Sequence, residues 1–209
     1  MDIVALRKFR LFVWGCFIVM LCTVATLYAL RGIISSKAIL AKGEEVPALS
    51  AAPDFSLPAH SGETLSKKSL AGKVWVADFF FSRCQGVCPK MKADLKVVQD
   101  AFDKDERVKL VSFTVDPQRD TLEALRTYAK KWGANAGQWF FLRGEHAAVG
   151  RLASKGFLLA GTEVPGEILH SSKFVLVDKG GLIRGYYDGT DKGDVDRLIA
   201  DIRKLLQAP

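Results

Sequence analysis

Two cysteines, Cys84 and Cys88, are the residues whose type and spacing are best suited to chemistry. They lie in the stretch FFFSRCQGVCPKM (residues 79–91), after an apolar run and directly before Pro89. In a turn or a first helical loop, α-carbons four residues apart can come within the limit of about 7 Å for a disulfide. The spacing is therefore compatible with a structural disulfide, a reversible redox pair, or two ligands of a metal site.

A purely structural disulfide is the least favoured of these three interpretations. Closing so short a loop removes little entropy from the unfolded chain, so it stabilises the fold poorly. The redox and metal interpretations are compatible with each other, because a dithiol must be reduced before its sulfurs can bind a metal ion.

A metal site needs a third ligand, and the candidates are the three histidines of the chain. His60 lies in a polar hairpin turn and His146 in the first turn of a helix, and we predict that both are surface residues. His170 precedes a predicted central strand, so its loop can lie over the strand-to-helix corner that carries the cysteines. Two thiolates and one imidazole suit Cu(I) or zinc. No fourth ligand for structural zinc stands out, which favours transient carriage of Cu(I).

The elements around the cysteines place them at the edge of a sheet. The stretch VWVADFFFS (74–82) is typical of a strand that is buried on both faces, and a helix is predicted from Pro89 to Phe102. Ligands of α/β sheets bind at the carboxyl ends of the strands. Pro89 fits the first turn of a helix, the amides of that turn favour thiolates, and Gly86 lets the loop bend without a Cβ.

Strand and helix patterns alternate through the rest of the chain. Asp120, with Glu123 three residues later, predicts a helix with a capping box that ends at Gly133. This alternation predicts an α/β sandwich with a central mixed sheet. The other predicted elements are a hairpin in 53–66, strands 108–116 and 138–142, a short helix near 145–154, a hairpin of 173–178 and 182–187, and a helix at 194–206.

The composition is that of a globular protein and argues against nucleic-acid binding. The chain has 209 residues, of which 49% are hydrophobic and 25% charged, with a net charge of +7. Residues 1–42 hold six Lys/Arg against one acidic residue, so most of this charge belongs to the N-terminus. The remainder is close to neutral and shows no basic stripe with interleaved aromatic residues.

The N-terminal charge flanks a predicted transmembrane anchor. Residues 11–30 carry no charged side chain, and a helix of this length spans about 30 Å, the thickness of a hydrocarbon core. Basic residues in 1–10 predict a cytoplasmic tail, so the linker 31–51 and the main domain 52–209 are exported. The simplest setting is a single-pass protein of the bacterial inner membrane with its main domain in the periplasm. Cys16 and Cys22 lie in the anchor and are assigned no chemistry.

Three segments together closely resemble the Sco/SenC family of membrane-anchored copper chaperones. They are FFFSRCQGVCPKM, FTVDPQRDTLEALRTYA and LHSSKFVLVDKGGLIRGYYDG. The resemblance implies a thioredoxin-like fold in which Cys84, Cys88 and His170 bind one copper ion. It also implies a role in assembling the dinuclear copper centre of cytochrome c oxidase subunit II, by delivering copper, by reducing the cysteines of that subunit, or both. A copper donor protein and a thiol reductant protein are the further partners that this role needs.

Four residues bear on how closely the chain follows that family. Asp116 and Asp120 match the acidic positions of its DP-x-x-D element, although Asp120 serves equally well as a helix cap. Many members have proline where this chain has Gln85 and Leu122. Glutamine at position 85 changes the flexibility of the cysteine loop, whereas leucine at position 122 is a neutral departure because it continues the helix.

Two alternative functions stay open. The segment APDFSLPAHSG also resembles the start of peroxiredoxin-like and thioredoxin-like proteins, which favours an anchored thiol-disulfide oxidoreductase. Dedicated oxidoreductases usually have C-x-x-C, one residue shorter than the spacing here. The third interpretation is a redox or copper sensor that acts through a signalling partner.

Overall fold

The computed structural model describes residues 46–159 and 171–208, together with positions 14, 20, 21 and 23. These four positions are helical, and the rest of the predicted anchor 11–30 lies outside the described residues, as do the predicted tail 1–10 and most of the linker. Within the described part of the chain, no helix is long and apolar enough to cross a membrane. The chain from Val46 onward forms one compact unit.

A six-stranded mixed sheet forms the centre of this unit, and two further strands form a second, smaller sheet. The strand order of the large sheet is β1-β8-β7-β4-β5-β6, and the small sheet pairs β2 with β3. The strands are β1 (Ser50–Ala51), β2 (Ser56–Pro58), β3 (Thr64–Ser66), β4 (Val74–Phe80), β5 (Val108–Thr114), β6 (Trp139–Leu142), β7 (Lys173–Val177) and β8 (Leu182–Asp188).

Helices cover the sheet on both faces, which confirms the predicted sandwich. Each core cluster combines one face of the sheet with the helices that pack on it. The helices are α1 (Val87–Ala101), α2 (Leu122–Lys131), α3 (His146–Arg151) and α4 (Lys192–Gln207), with a 3-10 turn at Lys68–Leu70 and a π-helix at Leu152–Gly156.

Strand β4 lies in the middle of the sheet because it is apolar on both faces. Val76 and Phe80 contribute to the core shared with α1, α2 and α4, whereas Trp75 and Phe79 contribute to the core under α3. Successive side chains of a strand point to opposite faces, so a strand covered on both faces needs an almost continuous apolar run, which Asp78 interrupts in β4. β4 pairs in parallel with β5 and antiparallel with β7.

This pairing determines which chain segments meet at one edge. The carboxyl ends of β4 and β5 share an edge because the two strands are parallel. The amino end of β7 lies at that same edge because β7 runs the opposite way. The loop after β4, the loop after β5 and the segment that enters β7 therefore converge.

Several boundaries differ from the prediction. β4 and β5 each end two residues earlier than predicted, and α1 begins at Val87, two residues before Pro89. The compact unit starts at Val46 and its first strand pairs with β8, so the end of the predicted linker belongs to the sheet. That pairing joins segments more than a hundred residues apart, which a local pattern does not reveal.

The predicted cap of α2 is wrong by one residue. Thr121, not Asp120, is the N-cap, and its hydroxyl accepts a hydrogen bond from the backbone N–H of Ala124 at 3.2 Å. The Asp120 carboxylate instead accepts hydrogen bonds from Ser82 and Thr114. The predicted end of the helix is confirmed, since Gly133 has φ of +62°, a conformation that favours glycine.

Candidate functional site

Cys84 and Cys88 lie at the junction between β4 and α1, where the sequence pattern places them. The chain turns after Phe81, whose carbonyl accepts a hydrogen bond from the Cys84 N–H at 3.2 Å. Cys84 is half-buried in the loop, and Cys88, in the first turn of α1, is only 5% exposed. Both thiols are free.

Gly86 is the residue directly before α1. The sequence suggested that glycine is needed here to avoid a clash of a Cβ, and the structure does not support that reason. Its φ is −95°, and a Cβ added there would meet no atom within 4 Å. Among the described residues, no neighbouring atom is therefore close enough to require glycine at this position.

The two thiols differ in how readily they ionise. Partial burial raises the pKa of the Cys84 thiol, but hydrogen bonds from the Cys88 thiol and from the backbone N–H groups of residues 86–88 outweigh it and hold that pKa below its ordinary value. Burial raises the pKa of the Cys88 thiol to about 12, and its hydrogen bond to Cys84 and the charge of Cys84 add to the effect. Amides at a helix N-terminus commonly stabilise a thiolate in this way.

This asymmetry defines what the pair can do chemically. Cys84 is the accessible sulfur with thiolate character, so it is the one that can attack a disulfide or meet an incoming metal ion. Cys88 is the shielded partner, which can complete a disulfide with Cys84 or act as a second soft ligand.

A buried carboxylate anchors the start of the cysteine loop. Asp120 is 1% exposed, and its Oδ2 accepts a hydrogen bond from the backbone N–H of Ser82 at 3.1 Å. The hydroxyls of Ser82 and Thr114 also donate to this carboxylate. Asp120 thus links Ser82, two residues before Cys84, to the end of β5. The capping pattern in the sequence did not reveal this positioning role.

Asp116, the other acidic residue of the same element, has a different environment. Its carboxylate accepts a hydrogen bond from Arg119 at 3.0 Å, and its backbone N–H donates to Thr114 at 3.1 Å. Since the guanidinium of Arg119 is largely exposed, this ion pair contributes little stability. Asp116 shapes the loop after β5.

The histidines fall into three different situations. His60 is half-buried, so its assignment as a surface residue is wrong: its Nδ1 accepts a hydrogen bond from the Phe141 N–H at 3.2 Å, and burial lowers its pKa. His146 is exposed, as predicted, with its Nδ1 2.8 Å from the carbonyl oxygen of Val115. His170 lies outside the described residues.

The structure therefore brings two of the three predicted ligands together and leaves the third unplaced. Among residues 46–159 and 171–208, no three His, Cys, Asp or Glu side chains form a group that could hold a metal ion. The three-ligand site of Cys84, Cys88 and His170 stays a prediction.

Comparisons with known proteins identify the family of the chain. A family model described as SCO1/SenC matches residues 44–207. The SCO1 protein homolog of Bacillus subtilis is 31% identical over 153 residues, which cover 71% of this chain and 79% of the relative. A Stutzerimonas stutzeri protein whose name describes copper binding is 28% identical over 147 residues, 68% of this chain and 71% of that protein.

A solved structure extends the similarity to the fold. It is that of BsSco, described as a member of the Sco family of cytochrome c oxidase assembly proteins with a disulfide switch. The TM-score is 0.69 at 28% identity, over 78% of this chain and 98% of the other. The thioredoxin-like α/β fold with a mixed central sheet is thereby confirmed.

The asymmetry of the thiols predicts selective alkylation of the reduced, metal-free protein by iodoacetamide. At pH 7, the Cys88→Ser variant, which keeps Cys84, should react at least about tenfold faster than the Cys84→Ser variant, because rate follows exposure and thiolate fraction. Since the Cys84 pKa is lowered, its rate should level off at a lower pH than that of a free cysteine. Mass spectrometry measures both rates, with Cys16 and Cys22 replaced by alanine throughout. Equal rates would contradict the assignment.

The anchoring role of Asp120 predicts a local loss of protection in Asp120→Ala. This change leaves the half-buried Ser82 N–H and the buried Thr114 hydroxyl without their acceptor, which costs about 1–3 kcal/mol of unfolding free energy. Denaturant unfolding and amide hydrogen exchange of residues 81–86 measure the two effects. Asp196→Ala, at an exposed position of α4, is the matched control and should change neither. Unaltered exchange of the Ser82 amide in the Asp120 variant would refute the role.

Proposed function

Because the chain belongs to the SCO1/SenC family, we propose that it is a copper chaperone that assists the assembly of cytochrome c oxidase. It binds one copper ion through Cys84, Cys88 and His170 and serves the dinuclear copper centre of subunit II. The observation that carries this proposal is the pair of free cysteines at the carboxyl end of β4, beside the amino end of β7.

The strand register supports the third ligand. In the antiparallel pairing of β4 with β7, Trp75 is opposite Val177 and Ala77 opposite Val175. The first residue of β7, Lys173, therefore lies at the edge from which the cysteine loop leaves β4. His170 precedes Lys173 by three residues, and three residues of chain span at most about 10 Å. This short span is compatible with an imidazole at position 170 that reaches the sulfurs.

The chemistry of the donors supports copper as the cargo. Thiolates are soft ligands that select Cu(I), and imidazole is compatible with them. Three protein ligands leave room for an incoming ligand, which a carrier needs in order to release its metal. Cys84, the more exposed sulfur, is the ligand that a sulfur of the copper donor or of subunit II can approach.

The relatives support the same class of function. The Stutzerimonas stutzeri protein is named for copper binding, and BsSco is described as an oxidase assembly protein.

Copper enters the reduced protein only, so a thiol reductant protein keeps Cys84 and Cys88 reduced. The uncharged run 11–30 anchors the chain in a bacterial inner membrane, with residues 46–209 on the periplasmic side.

Reduction of target cysteines is the second candidate function. A half-buried Cys84 that readily forms a thiolate, next to a buried Cys88, is the arrangement of a thiol-disulfide oxidoreductase, and BsSco is described as having a disulfide switch. Brisk turnover of a disulfide substrate by the metal-free protein with a dithiol reductant would favour this function, whereas inactivity would favour copper delivery.

The three-ligand site predicts a specific loss of copper affinity in His170→Ala. The reduced wild-type chain should bind about one Cu(I), and removing the imidazole should weaken binding at least about tenfold, equivalent to about 1.4 kcal/mol. Competition with a chromophoric Cu(I) chelator measures this affinity.

Two controls make the result specific. His146→Ala removes an exposed imidazole and should bind copper like the wild type, whereas Cys84→Ala should lose tight binding. Undiminished affinity in His170→Ala would eliminate His170 as a ligand and with it the three-ligand site.

A further inference from the structure

The turn of the β2–β3 hairpin covers one edge of the main sheet. Strand β6 ends the strand order, so among the described strands it pairs with β5 on one side and has no strand of the main sheet on the other. On that other side, Ala59 forms an isolated antiparallel bridge with Leu142, and the Arg143 N–H donates to the Pro58 carbonyl at 3.0 Å. His60, the next residue of the turn, lies over the middle of β6.

At Phe141, a histidine takes the place of a neighbouring strand. The backbone N–H of His60 donates to the Phe141 carbonyl at 2.8 Å, and the Phe141 N–H donates to Nδ1 of the His60 imidazole at 3.2 Å. In an antiparallel ladder, two opposite residues exchange two such bonds through their backbones. His60 makes one bond with its backbone and the other with its ring. Both polar backbone groups of Phe141, a residue that is 0% exposed, are thereby satisfied.

Two further contacts hold His60 in this position. Its ring lies edge-on to the ring of Phe141, with 5.5 Å between the centroids and 82° between the planes. Its carbonyl accepts a hydrogen bond from Nε of Arg126 on α2 at 2.9 Å. The half-buried imidazole is therefore held by contacts from a strand and from a helix.

The bond from the Phe141 N–H determines the protonation state of the ring. A backbone N–H donates, so Nδ1 must accept with its lone pair, and the proton of the neutral imidazole is on Nε2. A second proton can bind only at Nδ1. Two donors would then face each other, and the buried Phe141 N–H would lose its acceptor.

The charges around the imidazole come from α2 and from the hairpin itself. Arg126 and Lys130 of α2 line a cleft together with His60, and the other residues that line this cleft are uncharged. β6 has no charged side chain. Burial lowers the pKa of His60, the carboxylate of Glu63 raises it, and the charge of Arg126 lowers it. The pKa is held below its ordinary value, so the neutral ring predominates at neutral pH.

We propose that His60 is a pH-sensitive latch, which holds the hairpin turn against the edge of β6 while its ring is neutral and releases the turn when Nδ1 is protonated. Release leaves the N–H and the carbonyl of Phe141 unpaired at the sheet edge. The opening is local, because Ala59 and Leu65 keep the rest of the hairpin in the core. His60 is not one of the proposed copper ligands, so the latch goes beyond the proposed function and does not depend on it.

The lowered pKa fixes the direction of the pH effect. In the open turn, His60 regains the ordinary histidine pKa of about 6.5, so the open form binds a proton more readily than the closed form. The closed form is fully favoured above pH 6.5, and its advantage is lost as the pH falls towards the lower pKa of the closed turn. Between pH 7.5 and 5.5 the opening equilibrium should increase about three- to tenfold. The upper value corresponds to one pH unit below the ordinary pKa.

Hydrogen exchange of the Phe141 amide measures this opening in the full, metal-free chain in detergent micelles. Rates at the two pH values are resolved by fragmentation mass spectrometry, and each is divided by the intrinsic exchange rate at its pH. Protection of the wild type should fall about three- to tenfold on acidification. His60→Asn, whose side-chain oxygen can accept the Phe141 N–H at both pH values, should show no such fall. His146→Ala removes an exposed histidine and should behave like the wild type.

An equal pH dependence of protection in the wild type and in His60→Asn would overturn the latch, as would protection that rises on acidification. Nitrogen NMR of the histidine rings gives a second test that needs no change at position 60. The chain has three histidines, so the spectra of His146→Ala and His170→Ala identify the signals of His60. At pH 7.5 the proton of this ring should be on Nε2. A proton on Nδ1 would overturn the inference, because Nδ1 could then not accept the Phe141 N–H.

Discussion

The carboxylate of Asp120 holds the chain at the point where β4 ends, and the geometry of the site depends on that contact. By accepting hydrogen bonds from Ser82 and Thr114, it joins the ends of two parallel strands and directs the next residues into the cysteine loop. Cys84 consequently stays at the sheet edge and Cys88 enters the first turn of α1. The difference in exposure and ionisation between the two sulfurs follows from this placement.

The layers of the fold then supply the electrostatic setting of the pair. Amides at the start of α1 stabilise negative charge on Cys84, whereas burial in the core raises the pKa of Cys88. Cys84 is therefore the sulfur that more readily becomes a thiolate, the state in which a soft metal ion binds. Copper carriage and thiol chemistry would thus draw on the same two residues.

Local patterns in the sequence were enough to predict the order of elements and the position of the cysteines. The apolar run of β4, the proline after Cys88 and the periodicity of the last helix are all local signals. The contacts that escaped prediction join distant segments: Asp120 meets Ser82 across 38 residues, and His60 meets Phe141 across 81. In the sequence, Lys92 resembles an ordinary surface lysine on a helix, yet its side chain is buried and contacts Asp78 on β4 and Ser112 on β5. These partners become neighbours only when the sheet forms.

The central claim, a copper ion held by two sulfurs and one nitrogen, is tested most directly by X-ray absorption spectroscopy at the copper edge. The sample is the reduced, copper-loaded chain with Cys16 and Cys22 replaced by alanine, so that Cys84 and Cys88 are its remaining thiols. The proposal predicts two sulfur ligands and one imidazole nitrogen at a single copper ion. A copper ion with sulfur ligands alone, or with fewer than two sulfurs, would contradict it.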